Sequence, residues 1–415
     1  MRIGFLFNHD QIHQVAHSLP IALALANGNS GAEIVVATTN ARLTAEVVRM
    51  CGDAIGRIRL VELGLTGARS RLLSRSLGAL LPAAKLLMYG DNLDFFRALD
   101  VLVVAEKTSL ILKTRYGLDR LKIVHTRHGA GDRAIGFDPA SARFDHVLVS
   151  GAKIRDRLVA EAGVDPASIT VVGYPKFDVA VREETSDPLP RDGRPVVLYN
   201  PHVSPHLSSW YAMGRQVLDW FVRHDEYQLI FAPHVMLFER RFVLTIDKLR
   251  VDRPGRLADR YLRAPNIHVD LGSSASTDMT YTSCADIYLG DVSSQLYEFI
   301  ARPRPCVFLD AHNVDWRGDA DFAQWRAGPV IGDVADLGPA LLDAQARQEA
   351  VYGPEQERLF RYSFDLAAEP SSQRAARAVA EIAALASREV ATSVPRQAEV
   401  GTRVSRCRYA GQAAS

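Results

Sequence analysis

Lys122-Ile-Val-His-Thr-Arg-His-Gly-Ala-Gly-Asp-Arg133 is the stretch from which the chain is read. Lys122–Thr126 is a short β-branched run of strand length, and it stops against a loop with a glycine on each side of Ala130. Those glycines free the backbone to turn tightly and to approach a ligand. The same kind of run recurs at Ile3–Phe7, Glu33–Ala37, Val101–Ala105 and His146–Ser150, and stretches such as His13–Asn27 and Ala41–Arg49 carry helical spacing. Strands alternating with helices over short loops predict an α/β fold with parallel sheets covered on both faces.

A second series follows at Thr170–Val172, Val196–Tyr199, Leu229–Phe231, Ile267–Val269, Ile287–Leu289 and Cys306–Leu309. Residues 181–195 hold Glu183, Glu184, Asp187, Pro188, Pro190, Asp192, Gly193 and Pro195, a composition suited to an exposed linker. The expected organisation is an N-terminal domain over 1–180, the linker 181–195, a C-terminal domain over 196–370 and a last helix at 371–386. Residues 387–415 are polar and aperiodic and are expected to be a loose tail. The length of 415 residues agrees with two domains at ~100–200 residues each.

Composition narrows the functional classes. Hydrophobic residues make up 47% and charged residues 23%, which argues against wholesale disorder. With 49 basic and 48 acidic residues the net charge is +1, without the strong field of a dedicated nucleic-acid binder. Four cysteines, at 51, 284, 306 and 407, are too scattered for a disulfide scaffold or a zinc pattern and fit a reducing cytoplasm. The opening MRIGFLFNHD lacks the layout of a signal peptide, and the apolar runs stop short of the ~18 residues a spanning helix needs. A cytoplasmic protein is expected, with peripheral contact on the inner face of a membrane left open. Arg69–Tyr89 mixes Arg69, Arg71, Arg75 and Lys85 with leucines, and the tail carries Arg396, Arg403, Arg406 and Arg408.

In doubly wound sheets ligands sit beyond the carboxyl ends of the strands, and the chemistry-bearing motifs of this chain follow strands. His128 follows Lys122–Thr126, with Asp132 close enough in sequence to orient it. A histidine held by a carboxylate is a serviceable general base near neutral pH, and the competing reading is a surface loop with local hydrogen bonds. Asp291-Val-Ser-Ser-Gln-Leu-Tyr-Glu298 follows Ile287–Leu289 and opens a helix, so Ser293 and Ser294 fall where backbone N–H groups meet an anion. A plain helix cap accounts for Asp291 and the serines equally well. Asn200-Pro-His202 and Ala232-Pro-His234 each place a histidine just past a strand end. Gly173-Tyr-Pro-Lys-Phe-Asp178 reads as a hinge, a cleft-lining segment or a structural turn. No spacing matches a metal site.

In order, these motifs resemble the CDP-glycerol glycerophosphotransferase family, the teichoic-acid-type polymerases and primases. The resemblance spans roughly Ile3–Leu309. It rests on His128-Gly129 with Arg133 downstream, on Gly173-Tyr174-Pro175 with Asp178, and on Asp291–Glu298 followed by Arg302-Pro303. Asn8, His13 and Pro20 are similar to the start of such proteins. The resemblance implies a GT-B arrangement, two Rossmann-like domains facing across a cleft, the N-terminal one on the acceptor side and the C-terminal one holding the nucleotide. It implies His128 as the base for an acceptor hydroxyl and His234 on the donor pyrophosphate. It further implies Ser293 and Ser294 on phosphate and Glu298 on the ribose, with Asp132 among the catalytic residues. Gly129, Arg133, His13, Asn200, His202 and Asp291 complete the expected substrate contacts, and no cofactor or metal is implied. Pro233-His234 behind Ala232 replaces the family's His-Pro-His, and Asn200-Pro201-His202-Val203 stands where the family has Pro-Thr-Trp-Arg.

The expected activity is transfer of a glycerophosphate or related group from a CDP-activated donor to a lipid-linked or polysaccharide acceptor in cell-envelope polymer synthesis. A GT-B glycosyltransferase, a UDP-sugar 2-epimerase-like protein and a nucleotide-binding scaffold are the alternatives on the same architecture.

Overall fold

The computed structural model describes residues 1–9, 12–28, 31–67, 70, 83–127, 131–132, 136–180, 192–239, 242–245 and 250–393. The first sheet is built from β1 (Arg2–Phe7), β2 (Glu33–Thr38), β3 (Arg59–Glu62), β4 (Val101–Val104), β5 (Lys122–Thr126), β6 (His146–Val149) and β7 (Ile169–Val171). Its strands run parallel in the order β3-β2-β1-β4-β5-β6-β7. Side chains alternate across a strand, so a sheet covered on both faces needs apolar residues at odd and even positions alike. Ile3, Phe5, Val101, Val103 and Val124 fill the core on one face. Leu6, Leu102, Val104, Ile123 and Val147 fill the core on the other. That two-sided demand is why these strands read as unbroken apolar runs.

The second sheet follows the same plan with β8 (Val196–Asn200), β9 (Gln228–Phe231), β12 (Ile267–Val269), β13 (Ile287–Gly290), β14 (Cys306–Leu309) and β15 (Val330–Ile331). The order β12-β9-β8-β13-β14-β15 is again parallel. In both sheets the strand order reverses beside the first strand, between β1 and β4 and between β8 and β13. These are the switch points at which crossovers diverge and leave a crevice at the carboxyl ends. The expected α/β architecture with parallel sheets is therefore present.

Several elements differ from the sequence reading. Thr170–Val172, placed with the second series, overlaps β7, which pairs with β6 at the edge of the first sheet. β3 and β15 were not foreseen; β3 has no fully buried residue and β15 has only two residues, so neither shows an apolar run. Between β9 and β12 the chain inserts an antiparallel ribbon, β10 (Val243–Thr245) and β11 (Arg250–Asp252). Most of the linker 181–195 lies outside the described residues.

The last helix runs from Ser371 to Ser393. It returns to the first sheet, where Ala375, Val379 and Ala383 pack in one core with Ile21 and Leu25. Gly173 and Asp178 secure its start. Gly173 has φ +84°, and a Cβ there would come within 2.3 Å of Ser371 Oγ. Ser371 Oγ accepts from the Tyr174 N–H at 2.9 Å, and Asp178 accepts from the Ser372 N–H at 2.6 Å. Much of the Gly-Tyr-Pro segment thus docks this helix.

Candidate functional site

The carboxyl ends of both sheets border one cavity of about 630 Å³. Its lining comes from the residues directly after strands: Glu106–Thr108 after β4, Arg127 after β5, Asn200 and His202 at β8, His234 after β9, Val292–Gln295 after β13.

A hydrogen-bonded chain locks three of these strand ends together. Ser293 Oγ donates to Asn200 Oδ1 at 2.8 Å, and Asn200 Nδ2 donates to the Ala232 carbonyl at 2.6 Å. Gln295 N–H in turn donates to Ser293 Oγ at 3.3 Å, opening the five-residue helix Gln295–Phe299. Ser293 therefore ties the first N–H of that helix to the neighbouring loop, and Ser294, the residue at the helix start, stands beside it on the cavity.

Asp291 lies beneath. It is buried and is not among the lining residues. Its carboxylate accepts from the backbone N–H groups of His202 at 2.9 Å, Ser209 at 2.6 Å and Val292 at 2.7 Å, and from the Ser209 hydroxyl at 2.8 Å. Burial outweighs these donors and pushes its pKa up to about 6. Asp291 thus acts on the cavity by holding the loop that carries His202.

His202 and His234 face each other with ring centroids 5.9 Å apart. Nδ1 of His202 accepts from the Ser204 N–H at 2.9 Å, and Nδ1 of His234 accepts from the Met236 N–H at 3.3 Å. An imidazole whose Nδ1 accepts carries its neutral-state hydrogen on Nε2, so both rings are set as Nε2–H donors.

Glu298 is buried at the cavity wall. Its Oε1 accepts from Lys176 Nζ at 2.6 Å and from the Tyr174 hydroxyl at 3.1 Å. Burial first, and then the Glu298 charge, raises the Tyr174 pKa well above its ordinary value, keeping the phenol a donor. The two motifs Gly173–Asp178 and Asp291–Glu298, distant in sequence, are joined by this pair.

Asp132 is buried with Lys153 Nζ 2.6 Å from Oδ1, and the Tyr297 hydroxyl donates to Oδ2. Its carboxylate thereby ties the β5 loop to the helix after β13. Burial lowers the Lys153 pKa to about 8, against the pull of Asp132. Near β4, Glu106 lies 2.9 Å from Lys85 Nζ and 3.6 Å from His9 Nδ1. Burial alone would raise its pKa, but hydrogen bonds from His9 and Lys85 prevail and bring it to about 2.

The structure brings Asp132, Asn200, His202, His234, Ser293, Ser294 and Glu298 to one cavity. His128, Gly129 and Arg133 lie outside the described residues, and His13 is described only as backbone of the short helix Ile12–His17. Lys176, Glu106, Lys107, Thr108 and Arg127 were not singled out as site residues by sequence. The usable signal was position, since Glu106 follows the predicted strand Val101–Ala105 directly and Arg127 abuts Lys122–Thr126. Among the described residues no group of three or more His, Cys, Asp or Glu side chains is placed to hold a metal ion.

No family model and no curated protein sequence matches the chain. Solved structures do. A protein assigned as UDP-N-acetylglucosamine 2-epimerase from Listeria monocytogenes superposes with a TM-score of 0.58 at 14% identity, covering 95% of this chain and 98% of its own. The wall teichoic acid polymerase TagF superposes with a TM-score of 0.57 at 14% identity, over 94% of this chain and 90% of that one. The UDP-GlcNAc 2-epimerase from Neisseria meningitidis bound to UDP-GlcNAc gives 0.53 at 13% identity, over 92% and 99%. The resemblance read from the motifs is thus matched by TagF among the structural neighbours. At these identities the likeness establishes architecture: the chain has the GT-B fold, two parallel α/β sheets whose carboxyl ends share one cleft.

Proposed function

We propose that the chain is a transferase of cell-envelope polymer synthesis that moves a glycerophosphate or related group from a CDP-activated donor to a hydroxyl of a lipid-linked or polysaccharide acceptor. The observation that carries the reading is the convergence of the Ser293-Ser294 loop, the Nε2–H donors of His202 and His234, and Glu298 on one cavity at the second sheet's switch point. The Ser294 hydroxyl and the imidazole N–H groups suit a diphosphate, and Glu298, shared with Lys176, suits the vicinal hydroxyls of a ribose. His128, two residues after β5 in the chain, takes the acceptor proton. The acceptor oxygen then bonds to the phosphorus that bears glycerol, the bond from that phosphorus to the bridging oxygen breaks, and CMP leaves. Displacement of this kind depends on positioning and on neutralising charge, which donors fixed in advance supply.

A second reading has its own support. The Neisseria meningitidis epimerase, solved with UDP-GlcNAc, aligns over 99% of its own length. A UDP-sugar-dependent glycosyltransferase or 2-epimerase-like activity fits the same cleft.

A thermal-shift panel of CDP-glycerol, CMP, CDP, UDP and nucleotide sugars separates them. A ligand at about 100 Kd adds ~2.7 kcal/mol of stability. Cytidine-specific stabilisation is the expected outcome, uridine-specific stabilisation selects the second reading, and no response leaves a scaffold. In turnover assays His128→Ala is expected to lose roughly 10²–10⁴ in rate, as befits a general base, and near-normal turnover in a folded variant removes that role.

A further inference from the structure

Among the described residues, the Lys and Arg side chains on the cavity wall are Lys107, Arg127 and Lys176, and only two of them have a counter-charge. Lys107 lies 2.5 Å from Asp138 and Lys176 lies 2.6 Å from Glu298. Just behind the wall the pattern continues, with Lys85 2.9 Å from Glu106, Lys153 2.6 Å from Asp132 and Arg157 2.8 Å from Asp321. Arg127 departs from it. Its Nη1 donates to the Gly136 carbonyl at 2.5 Å, and its guanidinium stands 4.6 Å from the centroid of Phe137. Asp138 influences it only at longer range.

Among the described residues the other edge of this guanidinium has no acceptor. Nε is buried and unbonded. Nη2 fits because Gly136 has no side chain, since a Cβ there would lie 2.5 Å from it. Burial and the nearby Arg157 lower the Arg127 pKa to about 10, so the group remains a cation at neutral pH. A desolvated charge without a counter-charge is costly, and a chain that pairs its neighbouring buried cations with carboxylates but gives this one only a carbonyl and a ring face has kept a counter-charge place open. The Nε–Nη2 edge of a guanidinium matches two oxygens of a phosphate. Lys107 Nζ, 3.4 Å from the same Gly136 carbonyl, adds a second positive charge beside it.

We propose that Arg127 is the anchor of an anion subsite on the first-sheet wall, facing the donor loops, and that the acceptor seats a phosphate group there. The proposal rests on the group-transfer reading for its word "acceptor", but the anion site itself is independent of donor identity. Phosphate on Arg127 sets the acceptor across the cleft from Ser293, Ser294 and His234, so its hydroxyl meets the donor from the opposite side.

Calorimetric titration with inorganic phosphate and with sn-glycerol 3-phosphate tests the site directly. The wild type is expected to bind both. Arg127→Gln is expected to weaken both at least tenfold, and the double variant Ser293→Ala/Ser294→Ala reports any binding of the probes at the donor loops. Arg127→Lys retains the charge but loses the fork, and an intermediate affinity is expected. Should Arg127→Gln not fold, Arg127→Lys alone decides, because unchanged affinity there overturns the proposal. So does a wild type that binds neither probe at millimolar concentration, or a loss confined to the serine variant, which assigns the anion to the donor side. Nucleotide binding is read separately: phosphate binding through Arg127 without any nucleotide response refutes the transferase reading and leaves the anion site standing.

Discussion

At the scale of single residues, burial sets the chemistry of Asp291. Its carboxyl has an ordinary pKa of 3.8 and stands near 6 in the fold. The folded protein therefore holds this proton more tightly than the unfolded chain. The stability gained is complete below about pH 3.8 and is lost as pH rises through about 6, a swing of ~3 kcal/mol at most. Asp291→Asn removes the titration while keeping an acceptor for the loop N–H groups. Denaturation at pH 4 and pH 7 is expected to show the cost of this substitution shrinking by roughly 2–3 kcal/mol at the higher pH, and a constant cost disproves the raised pKa. Lys176 shows the converse lesson. It lay in a motif already noticed, yet its role came from Glu298, 122 positions away, which no local pattern could reveal.

At the scale of elements, the helix Ser371–Ser393 acts as part of the first sheet's cover although it is last in the chain. Its amphipathic pattern was legible, but the sheet it covers was not, because an apolar stripe does not name its partner. Val379 has no exposed surface and Leu385 is 58% exposed on the same helix. Val379→Asp buries an unpaired charge and is expected to cost ~3–5 kcal/mol or to prevent folding, whereas Leu385→Asp should stay within about 0.5 kcal/mol. Comparable losses at both positions in a melting experiment would refute this packing. The strands divide the same way: those buried on both faces were read from their apolar runs, while half-exposed β3 and the two-residue β15 left no run to read.

At the scale of the whole molecule, the two sheets are joined by polar links as well as by chain. Asp132 with Tyr297, Arg157 with Asp321, and Lys176 with Glu298 each pair a residue of the first half with one of the second. The cavity depends on those pairs, since each half contributes only one wall. Location is a property at this scale too. Among the described residues no helix is long and apolar enough to cross a membrane. We propose a peripheral contact made by basic residues such as Arg396, Arg403, Arg406 and Arg408, which lie outside the described residues. Co-sedimentation with vesicles containing anionic lipid is expected to occur at low salt and to weaken as salt rises, at about 1 kcal/mol per basic residue near the surface. No binding at low salt removes the membrane from the proposal.

The amino-acid sequence by itself determined the alternation of strand and helix and the placing of chemistry-bearing residues just after strands. Both are local: a run of apolar residues and the loop that ends it lie next to each other in the chain. Only the tertiary structure decided which of those residues share a cavity. It alone assigned Asp291 to the loop beneath the site and Asp178 to the start of the last helix. It alone left Arg127, among the described residues, without a carboxylate in hydrogen-bond reach. Pairing, burial and the absence of a partner are relations between residues far apart in sequence, and they come into being only when the two sheets meet.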